Sequence, residues 1–307
     1  MNNAAKLAAF AAAVAATFGS ALAVGAAVGP LDVSGDGSSH GAPSAGAAPA
    51  EDTPRGLAIA AAGYRLAPEA DPFGAGTLAA DAPTTFVFRV VDADGMPVTG
   101  FQELHERALH LIVVSRNLVD YLHLHPTMDA NGRWTVELPA LAPGSYRVFA
   151  DFQPIGAENL TLGTDLMVPG QVPAIALPRP ATTATVDGYS VSMTGSPAVG
   201  EAALSFTVQQ GGSTVRTDPY LGAAGHLVAI RTGDLAYLHV HPETSSDSTD
   251  PVVTFLSEFP TPGIYRLFFD FSHDGAVHTA AFTVDVPDGT GADTSTSTST
   301  MTHSEGH

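Results

Sequence analysis

The chain has 307 residues, 45% of them apolar, with 31 glycines, 23 prolines and a formal charge of −19. Its twelve Lys and Arg residues include one lysine, Lys6, and form no basic run, which excludes a nucleic-acid surface. With no cysteine, the chain cannot carry disulfides, a blue-copper thiolate, a cysteine zinc site or a lipidated cysteine.

Lys6 precedes an uncharged, Ala-rich run from Leu7 to Val28, and Ala21-Leu22-Ala23 offers a small-x-small cleavage site. Residues 1–28 therefore predict a signal peptide, or a membrane anchor, since the run is about long enough to span a bilayer. Either reading places the rest of the chain outside the cytoplasm, secreted or held at the outer face of the cell membrane. Residues 29–53, rich in Gly, Ser, Ala and Pro, read as a disordered linker.

From residue 54 to 168 short alternating segments are punctuated by turn residues. Strands are expected near 57–66, 84–92, 110–115, 120–125, 132–138, 145–153 and 161–168. The Pro-rich stretch 169–182 reads as a short, stiff linker. A second series follows in 183–287, near 183–192, 202–209, 226–231, 236–241, 251–257, 264–271 and 277–286, before a flexible tail at 288–307. The pattern predicts an all-β chain of two tandem immunoglobulin-like or cupredoxin-like β-sandwich modules, preceded by an export segment.

The two series are copies of one unit. "HLIVVSRNLVDYLHLHP" (110–126) aligns without gaps to "HLVAIRTGDLAYLHVHP" (226–242), with seven of 17 positions identical. "PGSYRVFADF" (143–152) likewise answers "PGIYRLFFDF" (262–271), so a module of ~105 residues has been duplicated. Tyr146 and Tyr265 suit a corner at which a tyrosine hydroxyl bonds back to the backbone upstream.

Three of the seven identities are histidines: His110 with His226, His123 with His239, and His125 with His241. In a strand, Tyr121, His123 and His125 share one face while Leu122 and Leu124 share the other. The leucines belong in a sandwich core, which sends the imidazoles outward or to an edge. If Arg116 to Val119 form a hairpin loop, Ser115 pairs with Asp120, His110 faces His125, and His123 lies diagonal. A slip of one residue would dissolve the cluster. Three imidazoles at one strand end are a site for Zn(II) or Cu(II). A fourth position falls to water, to Asp151 or Asp270, or to His105, which Leu221 replaces in the second copy. The bland alternative is that these histidines only pack where the modules meet.

The two hairpins and the "PGSYRVFADF" block resemble poorly characterised exported proteins of high-GC Gram-positive bacteria labelled heavy-metal-binding or YtkA-like. The resemblance covers roughly residues 55 to 287. It implies a β-sandwich and a link to copper or other metal handling outside the cytoplasm; it supplies no ligand set. No nucleophile elbow, phosphate loop or helical His-Glu-x-x-His pattern is found, so no catalysis is expected. The expectation is thus an exported copper- or zinc-binding buffer or chaperone, with the metal ion as partner and the membrane as a second through the N-terminal segment. The alternative is a tethered cell-surface interaction module of immunoglobulin-like domains with structural histidines. Nothing in the sequence identifies a protein partner.

Overall fold

The computed structural model describes residues 54–69, 78, 82–238, 240–243 and 250–288. The expected export segment, the linker 29–53 and residues 289–307 of the tail lie outside them. No helix among the described residues is long and apolar enough to cross a membrane.

The first module comprises β1 (Ala60–Ala61), β2 (Tyr64–Pro68), β3 (Thr84–Val91), β4 (Phe101–Gln102), β5 (Leu109–Ser115), β6 (Tyr121–Leu124), β7 (Thr127–Met128), β8 (Arg133–Leu138), β9 (Gly144–Pro154) and β10 (Leu160–Val168). One sheet has the order β1-β2-β3-β8-β7 and the other β10-β9-β5-β6, with β4 on β9. The second module comprises β11 (Thr183–Val186), β12 (Tyr189–Thr194), β13 (Gly200–Gln210), β14 (Ser213–Val215), β15 (His226–Arg231), β16 (Tyr237–Leu238), β17 (Val240–Pro242), β18 (Val252–Phe259), β19 (Gly263–His273) and β20 (Ala276–Val286). Its sheets run β11-β12-β13-β18-β17, with β14 on β13, and β16-β15-β19-β20. The protein is all-β, a tandem of immunoglobulin-like sandwiches, as the alternation of its sequence predicts.

Three expected strands are broken in the structure. The segment 57–66 turns at Ala62-Gly63 and 183–192 at Asp187-Gly188, each pair having both φ angles positive. Such dipeptides build tight hairpin turns that match the twist of the flanking strands. The expected strand 236–241 is also divided: β16 pairs with β15, whereas β17 pairs with β18 of the opposite sheet. The first module makes the same crossing, from β6 on β5 to β7 on β8. In the first module the proline of the repeated hexapeptide, Pro126, lies between the two strands, where its missing N–H costs no ladder bond.

Each sandwich has its own core. In the first, Phe86, Phe88 and Trp134 pack against Leu111, Val113 and Val148; in the second, Leu204, Phe206 and Phe255 pack against Leu227, Leu267 and Phe269. Tyr146 donates from its hydroxyl to Ala142 O at 2.9 Å and Tyr265 to Thr261 O at 2.8 Å, so both corner tyrosines are as expected.

A third apolar cluster joins the modules. Ile112, Val114, Leu118 and Phe149 of the first interlock with Val228, Ile230, Leu235, Tyr237 and Phe268 of the second. The β5–β9 sheet thus covers the β15–β19 sheet, and all seven residues of β5 are buried. Burying one such side chain is worth about 1.5–3 kcal/mol, so nine of them make a firm interface. Tyr121 stacks on Phe268 with ring centroids 4.0 Å apart and planes 8° from parallel. Arg266 donates from Nε to Leu118 O at 3.3 Å across the same face.

Candidate metal centre

The hairpin between β5 and β6 sets the site. Ser115 N donates to Asp120 O at 2.9 Å, and the ladder continues through Leu111 opposite Leu124, the register that faces His110 towards His125. Leu122 and Leu124 pack into the first core, as the alternation requires. The imidazole face does not meet water, however. It turns outward from its own module and into the other, leaving the His123 side chain 7% exposed.

One nitrogen from each of His110, His123 and His125 lies within 4.8 Å of the other two. The bonds around them fix the tautomers. His110 Nε2 is 2.9 Å from Leu104 O, which only accepts, so Nε2 carries the proton. His123 Nδ1 is 2.8 Å from Asp270 Oδ2 and donates to that carboxylate. In neutral imidazoles the remaining nitrogens, His110 Nδ1 and His123 Nε2, then both present lone pairs, and they stand 3.0 Å apart. Two facing lone pairs repel. The contact closes with a shared proton or with a cation bound by both. Two nitrogens on a tetrahedral Zn(II), each at ~2.0–2.1 Å, sit about 3.3 Å apart, close to the observed spacing.

His125 supplies the third group. Its ring centroid lies 5.0 Å from that of His110 and 4.9 Å from that of His123. Its Nε2 is buried with no hydrogen-bond partner among the described residues. A buried unpaired nitrogen is costly, and it is the feature a bound ion would relieve.

The second module contributes to the same cluster. His226 is held as His110 is, by donation from Nε2 to a turn carbonyl, here Tyr220 O at 3.0 Å. Its ring lies 6.0 Å from His123 and 6.2 Å from His110. His105 stands 5.1 Å from His226 and 6.1 Å from His110, in a turn with φ of 48°. Leu221, its counterpart, has φ of 50° in the equivalent turn of the second copy. His239 lies outside the described residues; for His241 the strand position is described, opposite Leu256, and the side chain is not. Met128 packs against the first core, so it offers no thioether to this cluster.

Both carboxylates considered as fourth ligands are engaged by hydrogen bonds. Asp151, opposite His110 on β9, accepts from Asn159 Nδ2 at 2.9 Å and from Tyr237 OH at a long 3.5 Å. Asp270, opposite His226 on β19, accepts from His123, from Tyr121 OH at 3.2 Å and from Thr279 Oγ1 at 2.5 Å. Burial first, and the neighbouring carboxylate second, push Tyr121 and Tyr237 well above the usual phenol range, so both remain donors. A cavity of about 40 Å³, little more than the space of one water, is lined by His105, His110, His123, Asp151 and His226.

Burial, and second the charge His123 carries when protonated, lower His110 to a pKa of about 4 and both His125 and His226 to about 3. Unfolded imidazoles titrate near ~6.5, so below that pH the unfolded chain binds more protons than the folded one. Stability from these groups is complete above ~6.5 and is lost as pH falls towards their folded values. At about pH 5 the loss reaches about 2 kcal/mol each for the well-buried His110 and His226. Urea midpoints measured between about pH 7 and about pH 5 should fall accordingly; a flat profile would contradict the buried, neutral state.

Fold and site together define a class: a two-module immunoglobulin-like protein that encloses a histidine cluster between its modules. Residues 72–168 and 184–288 each match the domain of unknown function DUF8832, and the chain belongs to that family. No curated protein sequence matches the chain. Among solved structures, a titin A168–A169 fragment is 10% identical over 69% of this chain and 94% of its own, with a TM-score of 0.20. The fibronectin(III)-like modules of Clostridium thermocellum CbhA are 12% identical over 72% and 93%, with a TM-score of 0.21. Invasin, a bacterial integrin-binding protein, is 16% identical over 73% of this chain and 39% of its own, with a TM-score of 0.22. Likeness at this level carries no argument beyond the strands already described.

Proposed function

We propose that the protein is an extracytoplasmic metal-binding protein, exported or anchored by its N-terminal segment, that holds Cu(II) or Zn(II) through His110, His123 and His125. It acts as a buffer or chaperone and performs no catalysis. The supporting observation is the pair of lone-pair nitrogens brought to 3.0 Å beside a third, unpartnered imidazole nitrogen. Donors that are all nitrogen suit Cu(II) and Zn(II), and without thiolate or thioether the cluster is a poor site for Cu(I). The resemblance to exported heavy-metal-binding proteins points the same way.

A second reading is favoured by the tandem sandwiches and the apolar face that fuses them. In it the chain is a tethered surface interaction module, and a proton, not a metal, closes the His110–His123 contact. Calorimetric titration of protein lacking residues 289–307 with each ion separates the two readings. The metal reading expects a Kd below ~10 μM at about pH 7.5. The sequence alone suggests that affinity falls as three imidazoles protonate near ~6.5. The low values of His110 and His125 revise that expectation: burial keeps these two imidazoles neutral well below ~6.5, so protons compete less with the ion at them. Failure of both ions to bind would leave the histidines structural.

A further inference from the structure

We propose that Asp270, a residue of the second module, is the positioning residue for the ion held by the first, so that ion binding and module docking are coupled. This rests on the metal reading above.

Asp270 lies on β19 between Phe269 and Phe271, which both point into the second core, and its own side chain therefore faces the first module. It is 1% exposed. Oδ2 takes His123 Nδ1 at 2.8 Å and Tyr121 OH at 3.2 Å, both from the first module, while Oδ1 takes Thr279 of its own. The carboxylate is thus held in place from one side and aimed across the interface. A carboxylate on the far nitrogen of a ligating imidazole fixes its tautomer, orients its ring and makes the ligating nitrogen more basic. Withdrawing the second module would leave His123 Nδ1–H without this acceptor and open the water-excluded pocket around all three imidazoles.

The relation is built into the interface on both sides. Tyr237 of the second module reaches Asp151 of the first as Tyr121 reaches Asp270. Coupling of this kind is reciprocal: whatever factor docking adds to ion affinity, the bound ion adds to docking.

The test uses the full chain, Cu(II) and Zn(II) salts as probes, and the variants Asp270→Asn and Thr279→Val. Asparagine keeps the shape and removes the charge; valine leaves the carboxylate and removes its anchor. Titration calorimetry should give ion affinity about 10–100-fold weaker for Asp270→Asn, and several-fold weaker for Thr279→Val. The Cu(II) electron paramagnetic resonance spectrum of the Asn variant should show an altered hyperfine splitting, a change that a purely structural residue would not produce. A folded Asp270→Asn protein with wild-type affinity and spectrum overturns the proposal. If that variant fails to fold by far-UV circular dichroism, Thr279→Val decides, and wild-type affinity there overturns it equally. Wild type that binds neither ion brings down the metal reading itself, a distinguishable result.

Discussion

Replacing His123 and His125 together by alanine should abolish tight Cu(II) or Zn(II) binding by the first module, a loss of at least about 100-fold in affinity. Two of the three nitrogens that converge within 4.8 Å are removed, and His110 alone cannot hold a four-coordinate ion. The two single variants should behave differently, which makes the pair informative. His123 is the buried partner of Asp270, with side chains 7% and 2% exposed, so His123→Ala removes one of three donors to a buried carboxylate and should cost about 1.5–3 kcal/mol of stability. His125 Nε2 has no partner among the described residues, so His125→Ala should lose ion affinity with little loss of stability. Parallel calorimetry and urea denaturation check both. Equal stability losses without any change in ion binding would show that the cluster serves packing alone. If the double variant still binds one ion, a second site independent of His123 and His125 exists; if it binds none, every bound ion depends on that pair.

Phe268→Ala should be among the most destabilising single changes, at about 3–5 kcal/mol. The ring is 1% exposed and lies flat against Tyr121 from the other module, with the Arg266 guanidinium 5.7 Å from its centroid. Removing it leaves a cavity in the middle of the intermodule cluster, where two sheets meet and neither can collapse readily to fill it. The lower urea midpoint should be accompanied by weaker ion binding, since the same face carries the histidine cluster. A cost below ~1 kcal/mol would mean that the modules are held together elsewhere.

Much of this was legible in the sequence because local physics fixed it. Period-two alternation put Leu122 and Leu124 in the core and His123 and His125 on the opposite face, and the short polar connection set the register that faces His110 towards His125. The "PGSY" and "PGIY" turns mark both corner tyrosines, whose hydroxyls donate to Ala142 O and Thr261 O. What lay across from the imidazole face was not legible, because the docking of Phe268 on Tyr121 joins residues nearly 150 positions apart. A signal was present nonetheless. "LHLIVVS" is apolar at almost every position, where a strand with one wet face would alternate, and β5 is in fact buried along its whole length. Asp187-Gly188 was likewise a readable hairpin turn hidden inside an expected continuous strand.

The exchange of Tyr121 to Asp270 and Tyr237 to Asp151 is the arithmetic of a homodimer written into one chain. In a true dimer every substitution is made twice, so any change near the dyad is felt on both sides at once. Covalent fusion lifts that constraint. One copy can carry His105 in its turn while the other carries Leu221 at the matching backbone angle, and a symmetric cleft becomes a handed one.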